Sequence, residues 1–599
     1  MNFDPSLLFS APLDYVTSFF MTNIVVLPIA ICLLMAPVMI LLRNRKNAQK
    51  YVALFVSAFL FFIGIVLFLD VYKNGILVYD IGEFGKYGIV LVGDLLSALM
   101  VLLNTFIGFL VLIYSLDYIE RKSLSDSYFV LFFLMLGGIN GIFLTGDLFN
   151  MFVFFEIMFL SSTGLIMANE SLSVTDISHK LEATYKYLVL GMLGSFVMLI
   201  AITTIYASVG SLNIADLAAK IQTLTDSGSV PWVVIGAALL FVVVFGNKAA
   251  LVPLHFWLPD VHPTAPTPVS AMLSGVLIKV GVYGMLRILF VVLAPALSFV
   301  LPIVMFFALM TIAIGAFSAM GQTDLKRVLA YSSVSQIGYV LLGLSFGTAG
   351  AIAAAIMYLI NHAVAKSLLF LTAGGIIHET KTRDLRKMGG LITVLPLFSM
   401  AFLIGAMSIA GIPPMGGFIA KFALFQSSVS GEFYLAFLIA LVCAIVTIFY
   451  MFRTWISIFW GENRNVDAGA GTGANTGVGT NAAGSVPNAA DAHADGAVSV
   501  PHTDMLNPHA VSGPHSVSDS HAVSDSHTVA PDSSGPATGV SHKKHKIPFE
   551  IVIPIVVLCA VVILLGIYPE PLYEISNLIA TQILDPETYI STVLGRAPR

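Results

Sequence analysis

Hydrophobic positions in this chain fall in long blocks. Apolar runs near 20 residues recur from Asn23 to Tyr568, and each is long enough to cross a bilayer core as a helix. They lie at about 23–42, 52–70, 91–115, 128–145, 147–168, 185–206, 231–256, 269–291, 298–320, 328–346, 349–376, 391–429, 433–459 and 549–568. The stretch 391–429 is too long for one straight helix and contains GIPPMGG at 411–417. It therefore reads as one crossing made of two half-helices. Counted this way the chain crosses fourteen times, which puts both termini on one side.

Composition narrows the class. Apolar residues make up 57% of the 599 and charged residues 11%, so the chain is an all-α polytopic membrane protein. The formal net charge of −5 reflects loops and a linker and gives no sign of a nucleic-acid surface. Basic residues are distributed unevenly between the two sides. One side gathers Arg43, Arg45, Lys46, Lys50, Arg121, Lys122, Lys180, Lys186, Lys326, Arg327, Lys381, Arg383, Arg386, Lys387, Arg464, Lys543, Lys544 and Lys546. The other holds Lys73, Lys86, Lys220, Arg596 and Arg599. By the positive-inside rule the first side is cytoplasmic and both termini are outside. Cys32, Cys443 and Cys559 all lie in apolar runs and form no CxxC or Cys/His cluster, so neither a disulfide nor an iron–sulfur centre is expected. The start of the chain lacks a basic n-region and a clear cleavage site, and it reads as no removable signal peptide.

Three segments depart from the span pattern. Residues 72–88, YKNGILVYDIGEFGKYG, have turn residues between short apolar runs and predict an outer β-hairpin. Residues 462–546 are rich in Gly, Ala, Ser, Asp and His, include the near-repeat HSVSDSHAVSDSHTV (515–529), and hold eight of the thirteen histidines. Such a composition cannot bury a core and predicts a solvated inner linker with no fixed metal geometry. The tail after Pro571 predicts a short amphipathic helix on the outer surface. The expected organisation is 1–127 (helices 1–3 with the hairpin), 128–291 and 298–460 (two five-helix repeats), 461–546 (linker) and 547–599 (last helix and tail). Each repeat carries a broken, lysine-bearing helix in fourth position. Five is odd, so adjacent repeats must be inverted in the membrane.

The candidate chemistry sits inside the spans. FGNKAALVPLHFWLPDVHPTAPTP (245–268) holds Lys248 in an apolar context beside Gly246 and several prolines. An ionisable group at membrane depth is expensive and marks an ion or proton pathway by default. A broken helix there must be buried in protein or line a wet cavity. The same logic selects Glu156, Lys279, His362, Lys366 and Lys421, with His255 and Tyr283 as auxiliaries. For Glu156 the competing role is an ion pair that fixes packing. For His362 and Lys366 it is a satisfied hydrogen-bonded pair, and for His255 a cap on backbone carbonyls. Lys248 and His255, seven apart, can face one side of a helix. His362 and Lys366, four apart, are neighbours. Lys421 follows the GIPPMGGF break as Lys248 follows Gly246. Asp94 reads as structural. The serines of DLKRVLAYSSVSQIGY (324–339) can hydrogen-bond between helices or hold water. Together the buried groups form an expected lateral polar row across the subunit.

TGDLFNMFVFFEIMFLSS, FGNKAALVPLHFWLPDVHPTAPTPVSAMLSGVLIKVGVYGMLRI, LAYSSVSQIGY, NHAVAKSLLFL and IAGIPPMGGFIAKFALF resemble the antiporter-like subunits of respiratory complex I. They look most like the D subunits of Mrp-type multisubunit sodium/proton antiporters, over about residues 90–460. The resemblance implies fourteen helices, two inverted repeats, a prokaryotic cell membrane, and other membrane subunits as partners. It places the family's proton-transfer residues at Glu156, Lys248, Lys279, His362, Lys366 and Lys421. The long inner segment 462–546 departs from the family pattern. Three functions remain: a proton-translocating subunit of a cation (sodium)/proton antiporter, a proton-pumping subunit of a redox complex (NADH:quinone oxidoreductase or membrane-bound hydrogenase), or a scaffold that keeps its charges for packing. The chain carries no nucleotide, flavin, haem or metal motif. It therefore implies no cofactor and no catalytic residue of its own, and redox chemistry would belong to partners.

Overall fold

In the computed structural model, residues 20–122, 127–168, 174–225, 230–461 and 547–595 are described. The linker at 462–546 lies outside them. Two helices open the described chain, α1 (Leu27–Leu41) and α2 (Lys46–Asn74), followed by the strands β1 (Leu77–Ile81) and β2 (Ile89–Gly93). Then come α3 (Leu95–Lys122), α4 (Tyr128–Leu144), α5 (Leu148–Met167), α6 (Val174–Val209), α7 (Ile214–Thr225), α8 (Trp232–Ala249) and α9 (Trp257–Thr264). A long span, α10 (Thr267–Val292), follows. The second half runs α11 (Leu297–Gly321), α12 (Leu325–Ser345), α13 (Ala349–Thr380), α14 (Pro396–Ala410), α15 (Gly416–Ser430) and α16 (Tyr434–Phe459). After the linker come α17 (Phe549–Ile567), α18 (Glu570–Leu584) and α19 (Pro586–Leu594). Among the described residues, 11 helices are long and apolar enough to cross a membrane, and α1, α4 and α14 are shorter apolar helices.

Local chemistry sets the helix ends. The Asp147 carboxylate accepts from the Asn150 backbone N–H at 2.7 Å and starts α5, and Asp324 does the same for Arg327 at 3.0 Å and starts α12. Pro396 opens α14, where its missing N–H costs nothing. Gly411 closes that helix at φ 79°, a left-handed conformation that glycine adopts without steric cost. The break predicted in 391–429 is therefore present, between Ala410 and Gly416. Spans α10 and α13 are buried all round, whereas α2 and α11 bury only one face. The bundle is thus built around α10 and α13, and two π-helical stretches, Leu273–Leu277 and Leu286–Val292, flank the α-helical part Ile278–Met285 of α10.

Several boundaries differ from the sequence expectation. The hairpin spans 77–93, with Leu77 paired to Gly93 and Ile81 to Ile89 in antiparallel register. Residues 72–74 continue α2 until Gly75, at φ 81°, ends it. The second strand falls where the third span was expected to begin, because a buried apolar strand looks like the start of a membrane helix. The tail forms two helices, the first beginning at Glu570. Leu572, Ser576, Ile579, Ala580 and Ile583 of α18 are buried. Helix α7 was not anticipated.

The span expected at 231–256 is also corrected. Helix α8 runs through Gly246 and stops at Ala249, and Ala250 takes the left-handed conformation at φ 58°. Lys248 therefore precedes the break instead of following it. Close approach of α10 fits this point: a Cβ on Gly281 would lie 2.7 Å from the Ala249 backbone nitrogen. Because 252–256 are turns, Lys248 and His255 do not share a helix face.

Candidate functional site

Lys248 lies in the last turn of α8 and is almost completely buried. Its Nζ donates to the Tyr187 hydroxyl of α6 at 3.0 Å, and Ser162 of α5 lies 2.7 Å from that hydroxyl. The ammonium also sits 5.0–5.1 Å from the ring centroids of Phe155, Phe159 and Tyr187, within cation–π range. Glu156, on α5, is half-buried and accepts from Ser195 of α6. Glu156 and Lys248 form no direct ion pair, but they are near enough to interact electrostatically.

Lys279, Lys366 and His362 are fully buried at the centre. The Lys279 ammonium donates to the Ser274 carbonyl inside the first π-helical stretch, where the wider turn presents backbone oxygens to a side chain. The Ser274 and Ser333 hydroxyls are 2.8 Å apart. Lys366 donates to the Ser332 hydroxyl at 2.7 Å and to the Leu329 carbonyl at 3.0 Å. The adjacent serines Ser332 and Ser333 of α12 therefore reach toward both lysines. Neither ring nitrogen of His362 has a hydrogen-bond partner, and Lys279, Lys366 and Lys421 are all close enough to act on it electrostatically. The His362–Lys366 hydrogen bond that stood as the competing role is not made; Lys366 turns to α12.

Lys421 sits on the second turn of α15, past the break. Its Nζ donates to the Ile409 carbonyl at 2.9 Å, a group left open because α14 ends one residue later. The negative end of the α14 dipole thus faces the ammonium. Tyr339 and Tyr358 present their ring faces at 4.5 and 5.5 Å. Tyr358 in turn donates to Gln336.

The two auxiliaries lie elsewhere. His255 is buried against Phe256 with Nδ1 unpartnered, in the turn that follows α8. The Tyr283 hydroxyl donates to the Phe143 carbonyl at 2.6 Å and lies within 3.3 Å of Ser97 and Arg287. There it joins a network that sequence reasoning missed. Arg287 and Asp94 are both buried and form a two-point ion pair at 2.6 and 2.7 Å, and the Tyr589 ring of α19 covers the guanidinium at 5.1 Å. Their charges were visible in the sequence, but nothing there indicated that they meet. His262 was also missed. It is fully buried and stacked on Phe370 at 4.5 Å, with both ring nitrogens unpartnered, near Lys326, Lys366 and Lys279.

Residues 145–447 match the family described as NADH:quinone oxidoreductase/Mrp antiporter, and 84–133 match the N-terminal family of complex I chain 5. The chain is 33% identical over 575 residues to the D subunit of the Na(+)/H(+) antiporter from Alkalihalophilus pseudofirmus, covering 96% of this chain and 100% of that one. It is 35% identical over 446 residues to the corresponding Na(+)/H(+) antiporter protein of Bacillus subtilis, covering 74% and 88%. Among solved structures, a chain of the Mrp complex from Dietzia superposes with a TM-score of 0.77 at 27% identity, covering 96% of this chain and 99% of that one. A chain of an archaeal membrane-bound sulfane sulfur reductase superposes at 0.75 over 96% and 100%, and at 24% identity this shows a shared fold alone. With a family match over half its length and antiporter relatives along nearly all of it, this chain belongs to the NADH:quinone oxidoreductase/Mrp antiporter family of membrane subunits.

Proposed function

We propose that the chain is a proton-translocating subunit of a multisubunit Na+/H+ antiporter in the bacterial cell membrane, working beside other membrane subunits. The observation that carries this reading is the set of buried ionisable groups, Lys248, Lys279, His362, Lys366 and Lys421, with Glu156 on the neighbouring helix. An apolar scaffold would gain stability by replacing such groups, so keeping them argues for their use. Protons would move between these groups through hydroxyls and intervening water. Charging one lysine would raise the cost of charging the next, which passes the change along the row. In this reading the chain is a transporter subunit, both termini face outward, and 128–291 and 298–460 act as the two repeats. The redox-complex alternative would draw on the same buried groups, so no side chain separates the two readings; the antiporter relative that covers nearly all of the chain supports the first.

The test is reconstitution of the whole complex in proteoliposomes. An imposed sodium gradient should drive a pH change that a fluorescent dye reports, and Glu156→Ala in an assembled complex should abolish it. Sodium-independent proton pumping driven by a reduced electron donor, or the same subunits purified with redox centres, would overturn the antiporter reading.

A further inference from the structure

The basic residues that set the orientation of the chain are not all spread over separate loops. Six of them, Lys180, Lys186, Lys326, Arg327, Lys381 and Arg383, line one cavity of about 650 Å3. That volume lies within the roughly 300–1,000 Å3 range of small-molecule sites. Only three carboxylates among the described residues line it: Glu182, Asp260 and Asp324. All three are already engaged. Lys186 bridges Glu182 at 2.9 Å and Asp260 at 2.8 Å, Arg327 binds Asp260 at 2.8 Å, and Arg383 reaches Asp324 at 3.4 Å. Partial burial pushes the Asp260 carboxyl up, yet Lys186 and Arg327 hold it below the usual range, so it stays ionised and committed.

Lys326 donates to the Ala265 carbonyl at 2.9 Å, which leaves two lysines. Lys180 is only 2% exposed, and its Nζ has no hydrogen-bond partner. Lys381 makes no ion pair with a described residue. An ammonium withdrawn from water without a counter-charge is costly. The cavity also borders helix α6, whose Leu181 and Tyr185 point outward beside Glu182 and Lys186. A basic pocket between membrane helices, on the side rich in lysine and arginine, is suited to an acidic headgroup.

We propose that this cavity binds a phosphate-type oxyanion, with Lys180 and Lys381 as its principal ligands, supplied either by the headgroup of an anionic phospholipid or by free phosphate. Lysine meets phosphate as a mobile point charge, so a modest side-chain movement brings Lys180 onto the ligand. The bound anion also has an electrostatic consequence. With six cations against three carboxylates the lining is net positive and repels other cations, and an oxyanion there lowers that barrier next to Lys326 and His262. The site stands apart from the transport reading, because it concerns binding and is measured without a gradient.

The experiment has two arms on the purified complex. In the first, the complex is placed in nanodiscs that mix phosphatidylglycerol with phosphatidylcholine, and retained lipid is identified by native mass spectrometry. In the second, only phosphatidylcholine is present and inorganic phosphate is titrated by calorimetry. Retention of phosphatidylglycerol assigns the headgroup, and saturable heat with phosphate assigns the free anion. In whichever arm binds, Lys180→Gln should weaken binding about tenfold, Lys381→Gln should weaken it further, and Lys180→Arg should keep it. Should Lys180→Gln fail to assemble, Lys381→Gln, on an exposed side chain, gives the same reading alone. No saturable binding in either arm, or binding that neither lysine substitution changes, overturns the proposal.

Discussion

Lys248 and Lys421 occupy equivalent-looking places, each beside a helix break in a buried setting, but their surroundings differ. Lys248 precedes its break and is held by a phenol hydroxyl and three aromatic faces, with the charge of Glu156 on α5 acting on it without a direct contact. Lys421 follows its break and is held by a carbonyl that the break leaves open, plus two tyrosine faces. A carboxylate nearby adjusts the Lys248 site, whereas backbone geometry adjusts the Lys421 site. The same residue type at two broken helices can thus be poised by different means, and each means can be removed separately.

The largest expected effect is at Lys421, where substitution removes the ammonium that meets the open Ile409 carbonyl. Lys421→Ala should block transport in an assembled complex, and Lys421→Arg should also fail, because arginine does not release its proton at working pH. Wild-type rates for the arginine variant, in dye-reported antiport, would leave Lys421 at most a fixed charge. At the other site, Glu156→Ala should abolish transport while Glu156→Asp keeps part of it. Equal activity in the two variants would remove the carboxylate from the comparison.

A subtler contrast lies in the tyrosines. Tyr187→Phe keeps the ring but deletes the hydroxyl that accepts from Lys248, a charged hydrogen bond worth about 1.5–3 kcal/mol, so antiport should fall roughly tenfold or more. Tyr339→Phe should change the rate much less, since its hydroxyl donates to the Ala440 carbonyl and Lys421 meets only the ring face. Matching losses in both variants would mean that the two lysines are held alike after all. The smallest effect is expected from replacing 467–540 with a short Gly/Ser linker, which should leave the rate near wild type. A large loss in a complex that still assembles would give the histidine-rich segment a role in transport.

The sequence alone determined the membrane class, the approximate spans, the break at GIPPMGG, the hairpin and the identity of the buried lysines. These follow from long apolar runs, proline and glycine chemistry, and the cost of charge in hydrocarbon, all of which are local properties of the chain. Tertiary structure decided which groups meet. Lys366 turns to Ser332 on α12 and not to His362 on its own helix, although spacing permits both. Asp94 and Arg287, far apart in sequence, close a buried pair with Tyr283 and Tyr589 around it. Lys248 and His255 part company because Ala250 takes a left-handed turn that no residue-type rule demanded. The six basic residues that the sequence could only count as an orientation signal come from α6, α12 and the connection after α13, and they share one cavity. Periodicity reports the face of one helix at a time; partners across helices depend on packing, which fixes distances that sequence spacing does not contain.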